Sequence, residues 1–145
     1  MCCRADKKAL KNLLKESQYN NRRKYIDCWK VLNSDGTPSI AGGKRYEGGW
    51  NYAKTRNRTR KLSRVYSEAI PTGIHVYLTY PLYVNSGKIV PCKVLKKDIY
   101  AVENQKEWGY NYSLITLRQW DTGQGRHAVV NKVFFTKADL KRCLK

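Results

Sequence analysis

The chain has 145 residues, enough for one domain with a sizeable core, and its 29 Lys and Arg against 11 Asp and Glu leave a net charge of +18. No apolar run approaches the ~18 residues of a membrane span, and the amino terminus is charged rather than signal-like, so neither spanning nor secretion is expected. The excess charge is uneven. Residues 1–64 hold 17 Lys and Arg against 5 Asp and Glu, as expected for a basic face on a more ordinary globular body.

In chain order, Ala9, Leu10, Leu13 and Leu14 recur at helical spacing between Asp6 and Ser17, with Lys7, Lys8, Lys11 and Lys15 on the remaining surface. A polar break at 19–24 precedes Tyr25–Leu32, which reads as a strand closed by the turn-forming cluster Asn33–Gly36. Gly42, Gly43, Gly48 and Gly49 lack the spacing and context of a phosphate-cradling loop, and they are expected to let the following basic segment reach away from the body. Further strands are predicted over 74–80, 88–95, 110–120 and 126–135, the last two resembling a hairpin around 121–125. Thr136 to Asp139 looks like a helix start with an acid in its first turn, leading into Leu140–Leu144. The expectation is a single α+β domain over 1–145, with a mainly antiparallel curved sheet, an N-terminal and a C-terminal helix, and a basic glycine-loosened segment at 42–64.

That segment carries the strongest functional signal. Between Lys44 and Arg64 stand eight cations against the single acid Glu47. Lys54, Arg56, Arg58 and Arg60 occupy every second position, so on an extended strand they share one face about 6.6 Å apart, with Lys61 and Arg64 following. A helix would set like charges at i,i+4 and contain Thr55, Asn57 and Thr59, all poor helix formers. The row suits a polyanion, most simply nucleic acid, whether DNA or RNA; an acidic host protein or ribonucleoprotein is the alternative, and a charged edge kept soluble by Lys and Arg is the bland reading. Eleven Tyr and four Trp favour rings with a polar edge. Trp50 and Tyr52, immediately before the cations, are the best stacking candidates, with Tyr46 third.

Catalysis has one candidate pair, His75 and His127, each near the start of a predicted strand. Paired His-x-Ser/Thr phosphoesterases use one imidazole as base and one as acid, but Tyr77 and Val129 stand where the hydroxyls belong. A small histidine-pair ribonuclease is therefore the third reading, after a nucleic-acid binder and a non-enzymatic inhibitor. The scattered acids assemble no two-metal or glycosidase site. Cys2, Cys3, Cys28, Cys92 and Cys143 form no Cys-x-x-Cys pair, so no zinc and no cofactor is indicated; Cys28 and Cys92 read as small buried thiols in a reducing, cytoplasmic setting.

Met1-Cys2, Cys28-Trp-Lys-Val-Leu32, Gly73-Ile-His-Val-Tyr77 and Val90-Pro-Cys-Lys-Val94 resemble, in this order, segments of small uncharacterised proteins of bacteriophage and prophage genomes. The resemblance covers about half the chain in short pieces. It implies a viral accessory protein acting in the host cytoplasm and transfers no activity or site.

Overall fold

The computed structural model describes residues 7–39, 43–53, 73–81, 87–102 and 127–144, with side chains from Leu10 onward. Helix α1 (Lys7–Lys15) buries Leu13 and packs Leu10 and Leu14 against the core, as their spacing predicts. The break after it is less polar than it reads. Tyr19 is buried, its hydroxyl reaches the Leu78 carbonyl at 3.5 Å, and Lys96 Nζ donates to the Tyr19 and Asn21 carbonyls at 2.6 and 3.2 Å.

Among the described residues the strands are β1 (Tyr25–Leu32), β2 (Gly49–Tyr52), β3 (Ile74–Tyr77), β4 (Lys88–Leu95), β5 (Ile99–Val102), β6 (His127–Val130) and β7 (Lys132–Phe135), and helix α2 (Lys137–Cys143) follows. All seven join one antiparallel sheet in the order β2-β7-β4-β1-β3-β6-β5, an α+β arrangement with a helix before and after the strands. β1 is its hub. It pairs with β4 along its whole length and meets β3 at Trp29 and Tyr77. The Asn33–Gly36 turn forms as expected, with Gly36 at φ 86 and Asp35 Oδ1 accepting from the Thr37 amide and hydroxyl.

The apolar run over 126–135 is two strands rather than one. Asn131 interrupts it, and its backbone carbonyl accepts from the Ala53 amide at 2.8 Å. β6 and β7 lie four steps apart in the hydrogen-bonding order, about 19 Å in a flat sheet. A single intervening residue spans no more than ~7.6 Å. The sheet must therefore curl until its two halves meet at the Asn131 bend, which gives the expected curvature a definite cause.

The inside of this curl holds Ile26, Cys28, Leu32, Ile74, Val76, Val90, Cys92, Val94, Val130, Val133 and Phe135, all buried. Leu13 and Leu140 bring both helices into the same cluster. α2 begins where the sequence indicates: Thr136 is extended, its side chain accepts from the Asp139 amide, and Arg142 pairs with Asp139 at 2.9 Å.

Candidate nucleic-acid interface

Alternation on β1 sends Ile26, Cys28, Lys30 and Leu32 inward, which leaves Tyr25, Asp27, Trp29 and the covered Val31 on the outer face. Antiparallel partners share a face, so the register extends that surface across the sheet. Asp27 lies opposite Lys93, Lys93 opposite Phe134, and Phe134 opposite Trp50. A second row runs Pro91, Trp29, Tyr77, His127 across β4, β1, β3 and β6. The two rows are not equally open: Asp27, Lys93 and Trp50 of the first are exposed, whereas Pro91, Trp29, Tyr77 and His127 of the second are all half-buried. At the β2 edge Trp50 is 39% and Tyr52 65% exposed.

Trp50 and Tyr52 thus stand outward on a strand held by β7. The Trp50 ring meets Phe134 edge-on at 5.3 Å, and Lys132 Nζ lies 4.8 Å from its centroid. The same ammonium is 3.7 Å from Asp98 Oδ2, which fixes it beside the indole. A second cationic cluster sits across the sheet: Lys93 Nζ is 4.6 Å and the Arg23 guanidinium 6.0 Å from the Tyr25 ring, and each lies 4.0 Å from Asp27. The T-shaped pair Trp29–Tyr80, at 5.7 Å with Tyr80 52% exposed, adds further ring surface. Sequence reasoning missed Arg23, Tyr25, Lys93 and Tyr80. The period-2 pattern of Tyr25, Asp27 and Trp29 was visible, but which cations face it depends on register.

Lys54, Arg56, Arg58, Arg60, Lys61 and Arg64 lie outside the described residues. The chain enters that segment from a fixed point, since the last described residue before it, Ala53, is bonded to Asn131. Gly48 and Gly49 are not loose, and Gly42 lies outside the described residues. Asn51 Nδ2 donates to the Glu47 and Gly49 carbonyls and its Oδ1 accepts from the Glu47 amide, while a Cβ on Gly48 would collide with the Lys137 side chain. Gly48 is small because α2 presses on it, and Gly49 adopts φ 97, where side-chain-bearing residues are strained.

Tyr46 faces inward instead of joining the platform. Its ring packs on Phe135 at 5.3 Å and under Lys30 Nζ at 5.5 Å, and burial pushes its phenol up to about 12. His75 and His127 fall on one face of adjacent strands, diagonal rather than opposed, with His127 edge-on to Tyr77 at 4.4 Å. Burial holds His75 below its ordinary range and takes His127 down to about 4. Both imidazoles are then neutral near pH 7, which provides a base but no protonated acid. Among the described residues no three His, Cys, Asp or Glu side chains gather as a metal site, and no helix is long and apolar enough to cross a membrane. Comparison with protein-family models, curated proteins and solved structures finds no match to this chain.

Proposed function

We propose that this protein binds nucleic acid through phosphate contacts with little base specificity, using the outer sheet face around β2 and the cationic row that follows it. The observation that carries this reading is the exposed Trp50 indole with Lys132 fixed beside it, followed two residues on by Tyr52 and then by six cations between 54 and 64. Rings bind bases by stacking without sequence preference, and ammonium and guanidinium groups neutralise the backbone between them. Lys93 and Arg23 extend positive charge along the same face. In a phage-encoded accessory protein of the host cytoplasm, host nucleic acid or the phage genome is the polyanion met. Fluorescence anisotropy with single-stranded and duplex oligonucleotides over a range of salt tests this reading. Binding that weakens steeply with salt supports it, and absence of binding at low salt overturns it.

A further inference from the structure

Cys28 and Cys92 are Cα partners in the β1/β4 pair, with their Sγ atoms 3.3 Å apart and both residues buried. Directly opposed antiparallel residues have Cα atoms about 4.5 to 5.5 Å apart, inside the span that a disulfide bridges without moving the backbone. The strands are fixed on both sides of the pair by Ile26 with Val94 and Lys30 with Val90, so the sulfurs are held together by the whole ladder.

From this geometry we infer that Cys28 and Cys92 form a cross-strand dithiol that hydrogen peroxide converts to an intramolecular disulfide. The contact between the two sulfurs and burial hold the Cys28 thiol far above its ordinary range, so oxidation begins only when one member of the pair gives up its proton; the steps are written with Cys92 as that member and are the same with the two exchanged. Its sulfur attacks one peroxide oxygen. The O–O bond breaks, and the departing hydroxide takes up a proton to become water. The Cys28 sulfur then attacks the resulting Cys92 sulfenic acid; the S–S bond forms, the S–O bond breaks, and the Cys28 proton leaves with the hydroxyl as a second water. Two electrons pass from the sulfurs to peroxide. The link joins residues 64 positions apart at the hub of the sheet.

The test uses the full chain with Cys2→Ser, Cys3→Ser and Cys143→Ser, which leaves only this pair, treated with hydrogen peroxide and then alkylated under denaturing conditions. The expected product has lost two hydrogens, takes no alkyl group, yields one peptide pair crosslinked through Cys28 and Cys92, and regains both thiols in dithiothreitol. Its Tm rises by roughly 5–15 °C on oxidation, as closing so long a loop implies. The parent chain, digested after the same treatment, gives the same crosslinked peptide, so the test stands even if the triple variant folds poorly. Full alkylation of both cysteines after peroxide in parent and variant, or linkage only between separate chains, overturns the inference.

Discussion

The ammonium of Lys30 donates to the backbone carbonyl of His75 at 2.6 Å from inside the sheet, on the face it shares with Cys28 and Leu32. Lys30 is 8% exposed, and desolvation lowers its pKa from 10.5 to about 8. Below pH 8 the side chain is charged both folded and unfolded, and folding bears the cost of burying that charge. Between about 8 and 10.5 the unfolded chain holds a proton that the folded chain has released, so stability rises with pH. Relative to Lys30→Met, the parent should gain about 3 kcal/mol across this window. Denaturant unfolding of the two chains at several alkaline pH values measures the difference; parallel curves would mean that Lys30 keeps its proton through some contact stronger than this carbonyl.

His127 shows a dependence of the same sign in a lower pH window. Its folded pKa of about 4 lies below the ordinary 6.5, so as pH falls through this interval the unfolded chain takes up a proton that the folded chain refuses. Stability present above pH 6.5 should decline toward pH 4, by about 2–3 kcal/mol more in the parent than in His127→Phe. Nuclear magnetic resonance titration of the two imidazoles gives a direct check. A His127 pKa near 6.5 would remove the basis for the effect and reopen the histidine pair to acid/base work, for which metal-free cleavage of single-stranded RNA, lost in His75→Ala and His127→Ala, is the diagnostic.

Affinity should carry the signature of released counterions. Contacts to four to six phosphates give log affinity falling against log salt with a slope of roughly −3 to −5. Replacing Arg56, Arg58 and Arg60 together with Ala should flatten that slope and weaken binding to every sequence, with Tm nearly unchanged, because a row that serves only to contact phosphates contributes little to folding. A large drop in Tm would instead make the row part of the fold.

Trp50 offers the clearest separation of stacking from packing. Its indole lies on the edge strand at 39% exposure, so Trp50→Ala should cost about 1–3 kcal/mol in binding single strands, much less in binding duplex, and little in stability. Oligonucleotide quenching of tryptophan fluorescence should fall in Trp50→Phe, with Trp29, Trp108 and Trp120 left as background. Equal quenching in parent and variant would take Trp50 out of the interface.

Much of the fold was legible where local pattern and tertiary pairing agree. β1 and β4 were readable to the residue because alternation and flanking turns bound them, and α2 because Thr136 and Asp139 mark its start. The division at Asn131 was not, since Val129, Val130 and Val133 remain apolar on both sides of a bend that only long-range pairing dictates. Lys30 was written into the inward set of β1, yet a cation there reads as surface until the His75 carbonyl is placed beside it. Trp50 and Tyr52 stand out from their place in the chain, and both rings are exposed. Arg23, Tyr25 and Lys93 needed the register, and the predicted strand at 110–120 lies outside the described residues.

The Asn131 bend also orders the assembly of the molecule in time. β6 and β7 together border both sides of the β4-β1-β3 core, so until residues 127–135 have left the ribosome, β3 and β4 each present an unpaired rim. At the usual ~5–20 residues per second of synthesis, such rims wait for seconds, open to pairing with a second nascent chain. The lysines at 88 and 93 on β4 place charge along one of them, in the manner of strands that must tolerate exposure before their neighbour arrives.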